Sequence, residues 1–160
     1  FAPPHTGITE SWNGTNWTEV ADIGARSQLA SAGADNTAAI AAGGEPPSSG
    51  TTAVELWSGS SWTTVNSLNT GRQALKGSGT STDALVIGGA SPVTGKTEQW
   101  NGTNWTEVAD LATARIAIGA AGTTSSALAA GGENASGTSI TTTEEWTGAG
   151  AGVTRTFTDS

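Results

Sequence analysis

The sequence predicts an all-β fold assembled from repeated four-stranded units, and three observations predict it. The hexapeptide Trp-Asn-Gly-Thr-Asn-Trp occupies residues 12–17 and again 100–105, and the identity runs on to Asp22 and Asp110. A Gly-Gly pair, Gly43-Gly44, Gly88-Gly89 or Gly131-Gly132, begins 31 residues after each of three Trp residues. Gly, Ala, Ser and Thr dominate the composition, with 7 Trp and no Tyr or Met, which favours strands joined by tight turns over helices.

The first Trp of each unit falls at 12, 57, 100 and 146, at intervals of 45, 43 and 46 residues. Because the Trp to Gly-Gly distance is constant, the variation in length is confined to the stretch after Gly-Gly. Residues 1–8 read as the end of an earlier unit, since Phe1 stands where the residue after a Gly-Gly would stand. The chain is therefore expected to be the C-terminal part of a longer repeat protein.

Each unit divides into four strands. The first, 27–33, 73–79 or 116–122, is rich in small residues and lies between an Arg and a Gly. The second, 37–42, 84–87 or 127–130, ends at Gly-Gly. The third ends in the first Trp, as in 54–57 and 143–146. The fourth starts at the second Trp, as in 62–65 and 105–108, and stops at an Asn-, Asp- or Gly-rich turn. In the last unit a second Trp is due at position 151, where Ala151 stands instead, and 153–159 alternates Thr with larger residues as a terminal strand.

Four strands at a period near 45 match a β-propeller blade, for which repeats of about 40–50 residues are usual. A stacked β-solenoid or intertwined fibre is the alternative. A helical solenoid is disfavoured by the lack of an apolar 3.6-residue stripe. The blades are placed at 25–68, 69–111 and 112–160, with half a blade at 1–24, about 3.5 repeats in one repeat domain. Propellers close with roughly four to eight blades. The half-blade and the C-terminus both end on a fourth strand, so closure is expected to need upstream residues or another chain.

Gly-Gly closing the second strand, a Trp further on and an Arg before the next unit resemble the kelch repeat over essentially the whole chain. That family places a Tyr before its Trp, and this sequence has none. The alternation of Trp-Asn-Gly-Thr-Asn-Trp-Thr-Glu-Val with an Ala-rich Gly-Gly strand is similar, more narrowly, to kelch-like proteins of bacteriophages, marine ones especially. That resemblance implies a virion or tail-fibre component.

Composition excludes several functions. With 6 basic against 14 acidic residues and a formal charge of -8, the chain lacks the basic face that nucleic acid or an anionic membrane requires. No apolar run approaches the ~18 residues of a membrane span, so no membrane insertion is expected. The absence of Cys removes disulfides, thiolate metal sites and cysteine nucleophiles. His5 is the only His, which leaves no transition-metal set. Kelch-type copper oxidases need Tyr and Cys, and propeller sialidases a Tyr nucleophile, so neither chemistry can be built here. No cofactor and no enzymatic activity are expected. An enzyme whose active site lies outside this segment is kept as an alternative.

Several residues recur in register. Trp12, Trp17, Trp57, Trp62, Trp100, Trp105 and Trp146 are read as a structural clamp between blades, in preference to sugar-stacking sites. Asn13-Gly14 and Asn101-Gly102 mark the hairpin between paired Trp residues, because both residue types tolerate positive φ. Glu10, Glu55, Glu98 and Glu144 precede the first Trp by two residues and so share its strand face. With Arg26, Arg72 and Arg115 they are expected to form an Arg-carboxylate ring between blades. The Asn-X-Ser/Thr sequences at Asn13, Asn16, Asn101, Asn104 and Asn134 come mostly from one repeated motif and are read as composition, not as glycosylation sites.

Recognition is placed in the loops after Gly-Gly, which vary while the scaffold repeats. The candidates are Glu45, Pro46 and Pro47 in the first, Ser91 and Pro92 in the second, and Glu133 and Asn134 in the third. The expected function is a non-enzymatic structural or receptor-binding module of a phage virion, such as a tail fibre or decoration, whose ligand is cell-surface carbohydrate. Its partners would be other virion subunits or further copies of the chain, in a virion or extracellular setting. A secreted bacterial adhesin or lectin built on the same blades is the second reading.

Overall fold

The structure, a computed structural model, describes residues 5–46, 49–148 and 153–155. Four antiparallel sheets follow one another along the chain, with no helix among the described residues. Sheet 1 has two strands, β1 (Thr9–Trp12) and β2 (Trp17–Val20). Sheet 2 holds β3 (Ala30–Asp35), β4 (Ala38–Ala42), β5 (Val54–Trp57) and β6 (Trp62–Thr64). Sheet 3 holds β7 (Lys76–Gly79), β8 (Ala84–Ile87), β9 (Thr97–Trp100) and β10 (Trp105–Val108). Sheet 4 holds β11 (Gly119–Thr123), β12 (Ser126–Ala130), β13 (Thr143–Trp146) and β14 (Val153–Arg155). Strand order within each sheet is the order of the sequence, a simple meander, and the sheets do not close into a barrel. This is a blade-type β fold.

The second, third and fourth strands lie within a residue or two of their predicted places. The first strands begin three residues later than predicted. Ser27, Gln73 and Ile116 each make only an isolated bridge, to Glu45, Ala90 and Glu133. The next residues, Gln28, Ala74 and Ala117, adopt φ of 54°, 53° and 54°, and this left-handed step breaks the ladder before β3, β7 and β11 start. The predicted terminal strand is present at Val153–Arg155, while Ala151 and residues 156–160 lie outside the described residues.

Alternation along the strands gives each sheet two faces. In sheet 2 one face carries Ile40 opposite Leu56 and Ala42 opposite Val54, and the other carries Ala39 opposite Trp57. The aliphatic face of sheet 2 packs on the Trp face of sheet 3, where Ile40, Val54, Leu68, Leu75, Val86, Trp100 and Trp105 form one buried cluster. The pattern repeats between sheets 3 and 4, with Leu85 and Ile87 against Ala127, Ala129 and Ile118.

The first strands of neighbouring sheets pack side by side, and small residues allow it. A Cβ on Gly77 would stand 2.3 Å from the Ser31 carbonyl oxygen, so β3 and β7 touch backbone to backbone. Ser78 in turn donates to the Gly122 carbonyl at 2.8 Å, joining β7 to β11.

Candidate functional site

In a meander, the loops joining second to third strands share one end of every sheet with the linkers that lead to the next sheet. The variable loops therefore lie together at that end, opposite the Trp hairpins. Glu45 bridges Ser27 and accepts a 2.5 Å hydrogen bond from Gln28 Nε2, and Pro46 is half-buried. Pro47 lies outside the described residues. Ser91 and Pro92 are exposed, with Ser91 at φ 86° before a cis peptide bond. Glu133 is exposed and bridges both Ile116 and Ser139. Asn134 organises the longest loop, its Oδ1 accepting the N–H groups of Ser136 and Thr138 at 3.0 Å each. These residues share an end of the molecule, but none of them lines a described cavity. Of these, Ser91, Pro92 and Glu133 are exposed, and Glu45, Pro46 and Asn134 are half-buried.

Beneath the loops lies a repeated ionic clip. Arg72 donates from Nη2 to Glu98 Oε1 at 2.8 Å, and from Nη1 to the Gly88 and Lys96 carbonyls at 2.7 Å each. Arg115 does the same with Glu144 at 2.5 Å and the Gly131 and Thr142 carbonyls. Arg26 pairs with Glu55 and donates to the Gly43 carbonyl. Each carboxylate also accepts a backbone N–H from the incoming linker: Gly24 on Glu55, Asn69 on Glu98 and Ala112 on Glu144.

The expected ring of pairs between blades is corrected by this geometry. Each Arg enters just before a first strand and reaches the third strand of the same sheet, so the ion pair is internal to one sheet. The connection between sheets is made by the Arg main chain instead: Gly44 N donates to the Arg72 carbonyl at 2.8 Å, and Gly89 N to that of Arg115 at 3.1 Å. Burial pushes the Arg72 guanidinium below the ordinary arginine value, against the opposing pull of Glu98. Half-buried Lys96 shifts the other way, raised by its hydrogen bond to Glu107.

The Trp motif folds as its letters require. Asn13 Oδ1 accepts the N–H groups of Thr15 and Asn16 at 2.9 Å, and Asn101 repeats this with Thr103 and Asn104. Gly14 and Gly102 then take φ of 95° and 90°, which a residue with a Cβ adopts only under strain. The hairpin sets the two indoles opposite one another with centroids 5.3–5.4 Å apart in all three pairs.

The two indoles of a pair have different partners. The first donates to the hairpin of its own sheet, Trp57 to the Asn36 carbonyl, Trp100 to Ser81 and Trp146 to Thr124. The second reaches the preceding sheet, Trp62 to Thr9 Oγ1 and Trp105 to the Asn66 carbonyl. Trp57, Trp100 and Trp105 are buried, and Trp62 and Trp146 are half-buried, as a clamp between sheets demands. Trp12 and Trp17 depart from it, at 43% and 63% exposure. No signal in the motif distinguishes them, because its letters at 12–17 equal those at 100–105; among the described residues, sheet 1 has two strands where sheet 3 has four.

Grooves lie elsewhere on the surface. One, of about 250 Å³, lies between sheets 1 and 2 and is lined by Trp12, Trp17, Trp57 and Trp62 with Glu10 and Asn36. Another, of about 480 Å³, runs along the first strands past Ser31, Gly33, Gly77 and Gly122. Its one carboxylate is Asp35, which hydrogen bonds from the Thr37 hydroxyl and N–H hold below the ordinary aspartate value. Among the described residues no group of three His, Cys, Asp or Glu could hold a metal ion, and no helix is long and apolar enough to cross a membrane.

Comparison with solved structures places this arrangement in a known fold. The chain superimposes on the protein described as "Structure of YjhT" with a TM-score of 0.77, at 15% sequence identity and over 94% of its length. It spans about half of that protein, 52%. At such identity the likeness is one of fold alone. No family model matches the chain, and no curated protein matches it.

Proposed function

We propose that the chain is a run of kelch-like β-propeller blades that serves as a non-enzymatic structural or receptor-binding module of a phage virion, a tail fibre or decoration. On this reading the loops after Gly-Gly bind cell-surface carbohydrate. One observation carries the proposal: an Arg–Glu clip recurs in sheets 2, 3 and 4, while the loops at one end, 45–53, 90–96 and 133–142, differ in length and sequence. A rigid scaffold presenting unlike loops is the arrangement of a recognition module. Repetition of such loops on one body also suits ligands that are themselves repeated, since a second contact is then made at high effective concentration.

The test is a glycan array probed with the protein and with a variant whose residues 90–96 are replaced by a Gly-Ser segment of the same length. The expected result is saturable binding to a defined glycan that the folded variant loses. Failure of the unaltered protein to bind any glycan would remove the carbohydrate part of the reading. Mass measurement of purified native particles tests the virion part, through the presence of the chain and its copy number.

A further inference from the structure

The turn that joins the paired Trp residues carries a chemistry besides its shape. Two of the eight asparagines are followed by glycine, Asn13 and Asn101, and both stand first in this turn. The main-chain nitrogen after an asparagine is placed to attack the side-chain carbonyl carbon, and glycine, with no Cβ, leaves that approach unobstructed. Asn13, Gly14, Asn101 and Gly102 are all exposed, so water reaches both turns.

The hydrogen bonds of the turn favour that attack. Asn101 Oδ1 accepts the N–H groups of Thr103 at 3.0 Å and Asn104 at 2.8 Å, and Asn13 Oδ1 accepts those of Thr15 and Asn16 at 2.9 Å each. An oxygen held by two main-chain donors is stabilised as it gains negative charge, which happens when the carbonyl carbon becomes tetrahedral. The attacking nitrogens, of Gly14 and Gly102, donate to no acceptor among the described residues, and neither do the Nδ2 groups that would leave. Two further turns supply contrasts. Asn134 Oδ1 also accepts two N–H groups, but Ala135 follows it and brings a Cβ to the attacking side. The sheet 2 hairpin has Ser58 in place of the asparagine, its Oγ accepting the Ser61 N–H at 3.3 Å with Gly59 at φ 87°, and so offers no carbonyl to attack.

We propose that Asn13 and Asn101 are sites of spontaneous deamidation, and that the product at Asn101 loosens the contact between sheets 2 and 3. The Gly102 nitrogen gives its proton to hydroxide and bonds to Asn101 Cγ. The Cγ–Nδ2 bond then breaks, and Nδ2 takes a proton from water and leaves as ammonia. One water molecule opens the resulting five-membered imide. Opening at Cγ yields aspartate; opening at the main-chain carbonyl yields isoaspartate, whose main chain is one methylene longer. Asn66 straps this turn to sheet 2: its Nδ2 donates to the Thr103 carbonyl at 2.9 Å and to Asn104 Oδ1 at 3.0 Å, and its carbonyl accepts the Trp105 indole N–H at 3.1 Å. A longer main chain at residue 101 displaces all three contacts. The inference is independent of the carbohydrate and virion readings.

The experiment incubates the 160-residue protein at mildly alkaline pH, folded and in denaturant, and maps its peptides by mass spectrometry with aspartate and isoaspartate resolved. Conversion is expected at Asn13 and Asn101 and not at Asn134. It should run about fivefold faster in the folded protein, because the two donors hold an oxyanion more strongly than a neutral carbonyl. The melting temperature should fall as isoaspartate accumulates at Asn101. A variant with Asn13→Ser and Asn101→Ser, which takes the turn already present in sheet 2, should fold and hold its melting temperature through the same incubation. Absence of conversion at Asn101, equal conversion at Asn134, or conversion no faster in the folded protein than in denaturant would overturn the inference. Isoaspartate at Asn101 with an unchanged melting temperature would overturn the loosening of the sheet contact.

Discussion

Arg72 Nη2 lies 2.8 Å from Glu98 Oε1, and neither side chain is more than 1% exposed. The pair is fully hydrogen-bonded on the carboxylate side, where Asn69 N and Nδ2 both donate to Glu98 Oε2 at 2.8 Å. Removing one member leaves the other charged, buried and unpaired. Arg72→Met or Glu98→Gln should each lower unfolding free energy by about 3–5 kcal/mol, measured in denaturant. Arg72→Met combined with Glu98→Leu should cost less than the sum, because no isolated charge is left behind.

Burial separates identical letters. Trp100→Ala removes an indole that is 1% exposed at the contact between sheets 2 and 3, and should cost about 3–5 kcal/mol. Trp17→Ala, at 63% exposure, should cost under about 1 kcal/mol in the chain alone. Thermal melts of the two variants, compared side by side, check the contrast.

Ala117 carries φ 54° and is exposed, so its methyl group buries little while its backbone is strained. Ala117→Gly should therefore raise stability by about 1 kcal/mol, the reverse of the usual effect of glycine in a β protein. The shift in melting temperature reads it out.

The position of Ala117 also shows where legibility ended. The hairpins were readable because Asn and Gly declare positive φ by their chemistry, and strand positions followed from the fixed spacing of Trp and Gly-Gly. Gln28, Ala74 and Ala117 take a left-handed conformation with no residue type that announces it; their recurrence at one place in the repeat was the only available clue. The Arg and Glu positions were equally plain in the sequence. Their pairing within a sheet was not, since spacing alone does not say whether a side chain turns toward its own third strand or a neighbour's. For the loops after Gly-Gly the sequence shows variability and position, and no residue pattern in it specifies a pocket.

Gly77→Ala should destabilise by about 1–3 kcal/mol, because the new Cβ meets main-chain atoms of Ser31 that cannot rotate away. Gly14→Ala is a useful control for packing: it has open space around it, so any loss there reflects φ alone. Chemical denaturation of both separates contact from conformation.

Asp35 offers the acid-side test. Its folded value is lowered by Thr37, so its contribution to stability is present above the unfolded value near ~3.9 and is lost as pH falls through the folded one. An NMR titration of the Asp35 carboxyl should show a midpoint below the ordinary range, and Thr37→Val should move it upward. A midpoint unaffected by Thr37→Val would locate the cause elsewhere.

The close approach of Gly77 to Ser31 has a geometric consequence for the whole array. Where first strands meet, backbone touches backbone; further out, indoles and aliphatic side chains hold the same two sheets apart. Each four-stranded unit is thus a wedge, narrow at one rim and thick at the other, and the angle of the wedge is written in the difference between glycine and tryptophan. Adding bulk at the thin rim would open the fan toward a straight stack, and trimming the thick rim would do likewise. Curvature in this protein is therefore a heritable property of side-chain volume, adjustable one residue at a time.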